Sequence, residues 1–166
     1  MKRRSRGQIL RSLLFLDTSA LIKLHLLEVG SSWLKSFIAG NQISISELAL
    51  YESATVLRRR YLEGSITQPQ ALALYAQLQQ ESQSYDVIEL RSERQLERVV
   101  ALAFSLPQNL RIRALDSIHL VAAQISKEAA NRLVPPEPFV FVSSDRQLLQ
   151  VAQSQNLVTE NPEDHP

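Results

Sequence analysis

The sequence has no cysteine, few glycines and few aromatic residues, and each shortage excludes a class of protein. Without cysteine the chain can form no disulfide, no thiolate zinc site and no cysteine nucleophile. Only 4 of its 166 residues are glycine, which argues against a flexible or low-complexity chain. Aromatic residues make up 6% of the chain and hydrophobic residues of all kinds 45%, so we expect one domain with a mainly aliphatic core.

Long hydrophobic runs are also missing. No apolar run approaches the roughly 18 residues that a membrane-spanning helix needs. Basic residues precede apolar ones near the start, as they do in a signal peptide. However, Arg11 and Asp17 interrupt the apolar stretch, and no clear cleavage site follows. We therefore expect a cytoplasmic protein without a membrane partner.

Positive charge is concentrated in the first residues. The net charge is +1, and residues 1–11 carry five basic side chains and no acidic one, so the rest of the chain is mildly acidic. We expect residues 1–12 to form a basic, flexible leader, which is able to contact nucleic acid. Residues 13–160 are predicted to form a single domain, and residues 161–166 a short C-terminal tail.

Short apolar runs alternate with helical segments along the whole chain. Runs with the length of strands lie at 13–16, 43–45, 85–90, 139–142 and 157–158. The first has no polar alternation, as in a strand that is buried on both faces. Helices are predicted at about 19–27, 30–39, 46–62, 67–83, 92–105, 114–130 and 145–154. This order indicates an α/β fold with a mainly parallel sheet.

Four acidic residues lie at positions where the predicted elements do not suggest an ordinary solvent-exposed side chain. Asp17 directly follows the first strand and Asp145 follows the fourth, at the edge where open α/β sheets bind ligands, although each can equally cap a helix. Asp116 lies early in a largely apolar helix, where the helix dipole is the alternative partner for its charge. Glu52 has mostly apolar neighbours three and four positions away. A carboxylate in such surroundings needs a cation or a metal.

Four converging carboxylates repel one another unless a cation lies among them. Mg²⁺ or Mn²⁺ suits such a group, because hard cations prefer carboxylate oxygen and water. The three histidines, His25, His119 and His165, lack the spacing of a zinc motif. His119 lies one turn after Asp116, where it either supports the acids or packs as an ordinary hydrogen-bonded histidine.

At these four acids the sequence resembles the PIN-domain family, in particular its VapC-type toxins. The resemblance is carried by residues 16–23 (LDTSALIK), 46–52 (SELALYE), 113–123 (RALDSIHLVAA) and 142–148 (VSSDRQL). It implies a three-layer α/β/α sandwich with a central, mainly parallel sheet. It also implies an endoribonuclease that uses Mg²⁺ or Mn²⁺ to cleave RNA, as the toxin of a type II toxin–antitoxin pair.

The resemblance also implies roles for individual residues. The catalytic and metal-binding acids are Asp17, Glu52, Asp116 and Asp145. The residues that support them are Ser19, Ser143, Ser144 and His119, where one of the serines at 143 and 144 stands in place of a threonine that is frequent in the family. The resemblance further implies a cognate antitoxin and a homodimer, for which the helices at 46–62 and 67–83 are the candidate interface.

An acidic pocket repels RNA, so basic side chains must hold the phosphates on either side of the cleaved bond. Lys23 lies one turn after Ser19 and Arg146 adjoins Asp145, so these two are the favoured candidates, with Arg113 as a third. Arg111 is a further possibility. The run of arginines at 58–60 is interpreted as solvated helix surface or as a contact with the antitoxin.

Two alternatives remain open. A catalytically inactive PIN domain could serve as an RNA- or protein-binding scaffold. A receiver-type signalling module also binds Mg²⁺ in a doubly wound fold, but it needs adjacent acids after the first strand, and residues 13–17 (LLFLD) contain no such pair.

Overall fold

The structure is a computed structural model that describes residues 11–90 and 93–165. Residues 1–10 of the expected leader lie outside the described residues. None of the helices in the described ranges is long and apolar enough to cross a bilayer.

Strands and helices alternate along the chain. The strands are β1 Leu13–Leu16, β2 Gln42–Ser46, β3 Asp86–Ile88, β4 Phe139–Val142 and β5 Thr159–Glu160. The helices are α1 Thr18–Lys23, α2 Ser31–Ile38, α3 Glu47–Leu62, α4 Gln68–Ser82, α5 Glu93–Ser105, α6 Ala114–Asn131 and α7 Arg146–Ser154. A 3₁₀ turn, Pro162–Asp164, follows β5.

The five strands form one sheet in the order β3-β2-β1-β4-β5, and every neighbouring pair is parallel. The predicted parallel sheet is thus confirmed. A receiver-type fold has the order 2-1-3-4-5, so the receiver alternative is wrong. The chain runs from β3 at one edge back to β4 beside β1. The strand order therefore reverses between β1 and β4, which is where sheets of this kind bind ligands.

Both faces of the sheet are covered by helices. Leu13 and Phe15 of β1 join the core formed with α5, α6 and α7, whereas Leu14 and Leu16 join the core formed with α1 to α4. Alternate side chains of a strand point to opposite faces, so a strand between two helical layers must be apolar throughout. The predicted three-layer α/β/α sandwich is therefore confirmed.

Three predicted elements have clearly different bounds in the structure, and one of them is the third strand, which covers Asp86–Ile88 rather than 85–90. The fifth strand lies at Thr159–Glu160 rather than at 157–158, because Asn156 takes a positive φ of 58° and the amide of Leu157 still bonds to the carbonyl of Ala152 at 3.1 Å, which keeps it at the end of α7. Helix α1 ends at Lys23 rather than near 27, because the amides of Leu24 and His25 bond to carbonyls only three residues back and tighten the chain into a turn.

Residues 161–165, which we call the C-terminal turn, pack against α2. Pro162 is buried, and the ring of His165 stacks on Trp33 with centroids 3.9 Å apart. Gly30, the N-cap of α2, has φ +80°, and a Cβ added there would lie 2.1 Å from the carbonyl oxygen of Pro162. The close approach of the C-terminal turn to α2 therefore requires glycine at position 30.

This contact predicts that Gly30→Ala destabilises the protein more than Gly40→Ala does. Gly40 also has φ +80°, but a Cβ there meets nothing within 4 Å. We expect Gly40→Ala to cost about 1 kcal/mol from the left-handed backbone alone. Gly30→Ala should cost roughly 1–3 kcal/mol more, because the clash with Pro162 is added. Urea denaturation followed by circular dichroism measures both costs, and equal costs would contradict the assigned contact.

Candidate active site

The four predicted acids line one pocket at the carboxyl ends of β1 and β4. The pocket has a volume of about 550 Å³. Asp17 reaches it from the end of β1, Glu52 from α3, Asp116 from the first turn of α6, and Asp145 from the start of α7. The structure therefore brings together side chains that are more than a hundred positions apart in the sequence.

Asp17 is a buried carboxylate held by three hydrogen bonds. One of its oxygens accepts from the hydroxyl of Ser19 at 2.7 Å and from the amide of Ala20 at 2.9 Å, which makes it the N-cap of α1. The other oxygen accepts from the hydroxyl of Ser143 at 2.6 Å. Burial raises the pKa of Asp17, although these bonds and the charge of His119 act to lower it. The ionised carboxylate is therefore held in place but incompletely compensated.

The two serines connect the ends of β1 and β4. The hydroxyl of Ser19 donates to Asp17 and accepts from the amide of Ser144 at 2.8 Å. The hydroxyl of Ser143 donates to the same carboxylate and accepts from the amide of Asp145 at 3.0 Å. Of the two serines at the predicted threonine position, Ser143 is thus the one that contacts Asp17. The hydroxyl of Ser144 is buried without a hydrogen-bond partner among the described residues.

Glu52 is paired with a buried histidine. One of its oxygens lies 2.8 Å from Nε2 of His119 and also accepts a hydrogen bond from the hydroxyl of Thr18. The side chain of His119 is 3% exposed and that of Glu52 23% exposed. Burial acts to raise the pKa of Glu52, but the bonds from His119 and Thr18 outweigh it, and the pKa is lowered. The partner of Glu52 among the described residues is therefore His119.

The pKa of Asp116 responds to its burial and to two charged neighbours. Burial raises the pKa of Asp116, the positive charge of Arg113 lowers it, and the negative charge of Asp145 raises it. One oxygen of Asp145 accepts from the amides of Gln147 at 2.9 Å and Leu148 at 3.1 Å, so this residue is also the N-cap of α7. For Asp145, capping and a place in the pocket are compatible roles.

These carboxylates fit a divalent cation in their donor chemistry. Hard cations such as Mg²⁺ and Mn²⁺ take carboxylate oxygens, and Asp17 and Asp116 both carry charges that burial disfavours. Within the described ranges, no three acidic or histidine side chains already lie close enough together to surround a metal. Coordination would therefore require the carboxylates to draw closer.

The basic residues that sequence reasoning favoured as phosphate ligands already have acidic partners. Nζ of Lys23 lies 3.0 Å from Glu163 and 3.3 Å from Glu28, and this side chain is only 4% exposed. Arg146 bonds Asp164 at 2.6 Å. Lys23, Glu28 and Glu163 all line the pocket, so the C-terminal turn forms part of its wall.

The arginines at 58–60 occupy two different surfaces. Arg59 and Arg60 line the pocket; Arg59 is exposed, as the interpretation as solvated surface expects, whereas Arg60 is half-buried and bonds Glu28. Arg58 faces a separate groove between α3 and α4. Arg113, the third favoured phosphate ligand, lies 4.0 Å from Asp145 and is largely exposed.

Sequence reasoning missed several residues of the pocket wall. These are Thr18, Glu28, Tyr51, Thr55 and Glu163. For Thr18 a signal existed, because it stands between two residues that were assigned to the site. For Glu28 and Glu163 there was none, since neither belongs to a recognisable motif and both reach the pocket only through the packing of loops.

Solved structures show the same fold at low sequence identity. One is the structure of VapBC2 from Rickettsia felis bound to a DNA fragment from the VapBC2 promoter. It is 17% identical to this chain in sequence, with a TM-score of 0.61, and the match covers 90% of this chain and 98% of that one. PAE2754 from Pyrobaculum aerophilum is 18% identical with a TM-score of 0.57, covering 96% and 89% of the two chains. VapBC-1 from nontypeable Haemophilus influenzae is 14% identical with a TM-score of 0.57, covering 90% and 98%.

Sequence comparison supplies the family. The search of curated protein sequences finds no match. The family model of the PIN domain, however, matches residues 14–154, a range that includes all four acids of the pocket. The chain therefore belongs to the PIN-domain family.

Proposed function

We propose that this protein is an endoribonuclease that depends on a divalent metal and acts as the toxin of a toxin–antitoxin pair. The observation that supports the proposal most strongly is the set of four carboxylates lining one pocket at the switch point of the sheet. PIN domains are generally nucleases, so family membership points to the same class of reaction. The catalytic residues of the proposal are Asp17, Glu52, Asp116 and Asp145.

In this proposal Asp17 and Asp116 hold Mg²⁺ or Mn²⁺, together with Asp145 or Glu52. The cation, when bound, lowers the pKa of a water molecule and offsets negative charge on the phosphate. Ser143, like Ser19, positions the carboxylate of Asp17. Hydrolysis by in-line attack of water leaves a 5′-phosphate and a 3′-hydroxyl.

His119 acts as a positioning residue in the same scheme. His119 is buried, and both His119 and Thr18 bond the same oxygen of Glu52. These two contacts fix the orientation of the carboxylate and therefore the direction of its second oxygen. Lys23, Arg113 and Arg146 are the proposed phosphate ligands, and Arg59 joins them because it lines the same pocket. Their positive charge is needed to hold RNA against the repulsion of the acids.

A protein partner is part of the proposal. The similar structures from Rickettsia felis and Haemophilus influenzae are of VapBC pairs, which supports an antitoxin as the partner of this chain. Tyr51 and Leu62 of α3 and Leu72 of α4 are exposed apolar side chains. These helices are therefore suitable for a protein contact, with a second copy or with the antitoxin.

The first prediction concerns catalysis. The purified chain without antitoxin should cleave RNA in Mg²⁺ or Mn²⁺ and not in EDTA. Asp17→Asn and Asp116→Asn should each lower the rate at least about a hundredfold, since a metal site supplies several kcal/mol of charge stabilisation. Asp86→Asn is the matched control, because Asp86 is exposed at the opposite end of the sheet. Gel analysis of diverse structured RNAs measures the rates. A chain that binds RNA and never cuts it would favour the scaffold alternative.

The second prediction concerns stability in EDTA. A carboxyl whose folded pKa is raised stabilises the protein below the unfolded pKa and loses that contribution as pH rises through the folded pKa. Asp17→Asn should therefore raise the free energy of unfolding at pH 7, since asparagine also caps helices well. The lowered pKa of Glu52 has the opposite effect on stability, because here the ionised carboxylate stabilises the folded protein. Glu52→Gln should therefore reduce stability at pH 7 and have little effect once the pH falls below the folded pKa. Urea denaturation tests both, and a shift of the same sign for both variants would contradict the assignment.

The third prediction concerns metal binding without catalysis. Mg²⁺ or Mn²⁺ should raise the melting temperature, because a cation that binds only the folded state adds about 2.7 kcal/mol at a hundred times its dissociation constant. The increase should disappear in Asp116→Asn and persist in Asp86→Asn. Differential scanning calorimetry with and without metal provides the measurement. An unchanged melting temperature in the wild type at millimolar Mn²⁺ would count against a metal site.

A further inference from the structure

A second pocket adjoins the acidic one. It has a volume of about 770 Å³ and shares Lys23, Glu28, Arg60 and Glu163 with the acidic pocket. Arg146 also lines the second pocket. The two pockets therefore form one trough, and the shared charged side chains lie at the boundary between its two halves.

Two cations that line the second pocket are bonded by acids of the C-terminal turn. Glu163 bonds Lys23 at 3.0 Å, and Asp164 bonds Arg146 at 2.6 Å. Ammonium and guanidinium groups bind carboxylate and phosphate oxygens with the same donors. The two acids therefore occupy the positions that phosphates of a nucleic acid would take.

These acids are delivered by a packed segment of the chain. Asn161 is 4% exposed, and its side-chain oxygen accepts from the amide of Glu163 at 2.9 Å. Pro162 lies against Gly30, and His165 stacks on Trp33. The pair between Arg146 and Asp164 is nevertheless exposed, with side-chain accessibilities of 68% and 52%. Exposed pairs contribute little stability, so a phosphate can exchange with the carboxylate at little cost.

The rim of the second pocket is apolar and open. Leu27 is 90% exposed and Val29 58% exposed, and both line the pocket. Apolar surface beside cationic groups suits single-stranded RNA, whose bases are free to pack while its phosphates are bound.

Resting on the proposed function, we propose that the second pocket is a subsite for the nucleotide next to the cleaved bond in single-stranded RNA. In the bound state the RNA phosphates replace Glu163 on Lys23 and Asp164 on Arg146. The two acids of the C-terminal turn therefore compete with RNA. Removing a cation and removing an acid at this subsite must change RNA affinity in opposite directions.

The test measures binding separately from cleavage. Fluorescence anisotropy of labelled oligouridylates with two and eight nucleotides is recorded in EDTA, with the full chain carrying Asp116→Asn so that no RNA is cut. Adding Arg146→Gln should weaken binding of the eight-nucleotide RNA about tenfold and reduce the salt slope by about 0.7 for the lost phosphate contact. The two-nucleotide RNA, which is too short to span both pockets, should be much less affected.

Adding Asp164→Asn instead should tighten binding of the eight-nucleotide RNA severalfold, and Glu163→Gln should act in the same direction. Arg132→Gln and Asp86→Asn are the matched controls, because both residues are exposed at the opposite end of the molecule and change the net charge by the same amounts. Circular dichroism establishes that each variant is folded. If Glu163→Gln prevents folding because Lys23 loses an acidic partner, the variant at the exposed Asp164 still decides the test.

The subsite is overturned if Arg146→Gln weakens binding no more than Arg132→Gln, or if Asp164→Asn binds no more tightly than Asp86→Asn. Those results would leave the proposed function intact, provided that the chain without Asp116→Asn still cleaves RNA with Mg²⁺ or Mn²⁺. If the parent chain neither binds nor cleaves RNA, the proposed function fails, and the subsite fails with it.

Discussion

The main physical constraint on the site is the negative charge buried where the central strand ends. Asp17 is 4% exposed, and two serine hydroxyls and one backbone amide fix both of its oxygens. These hydrogen bonds orient the carboxylate and act to lower its pKa, but burial outweighs them, so the pKa of Asp17 remains raised. The fold thus maintains a charge that folding alone disfavours. Such a cost is expected where a site is kept ready for a cation.

The remaining acids of the pocket are not equivalent to Asp17. Glu52 is compensated within the protein by His119, and its pKa is lowered. The pKa of Asp116 remains raised even though the charge of Arg113 lowers it, because the neighbouring charge of Asp145 adds to the effect of burial. The pocket therefore combines one carboxyl whose pKa is lowered, Glu52, with two whose pKa is raised, Asp17 and Asp116. A cation entering the pocket would be stabilised most strongly between Asp17, at the end of β1, and Asp116, at the start of α6.

The sequence predicted the elements and acids that local patterns determine. Continuous apolar runs identified β1 and β4 because both faces of these strands are covered, and the residues that follow them, Asp17 and Asp145, mark the edge where a parallel sheet binds ligands. The apolar neighbours of Glu52 correctly predicted a partner without identifying it. Glu28 and Glu163 could not be predicted, because they reach the pocket through the packing of loops, and such packing produces no periodic pattern in the sequence. The pairing of Lys23 could not be foreseen for the same reason.

The stacking of His165 on Trp33 has an optical consequence. The chain contains one tryptophan, and its ring lies between Phe37 and His165 at centroid distances of 4.5 and 3.9 Å. Indole emission responds to the polarity and the contacts of its surroundings. Separation of the imidazole from this stack would therefore alter the intrinsic fluorescence of the protein. The single tryptophan lies beside the segment whose acids border the trough, so its fluorescence can report the position of that segment without any attached dye.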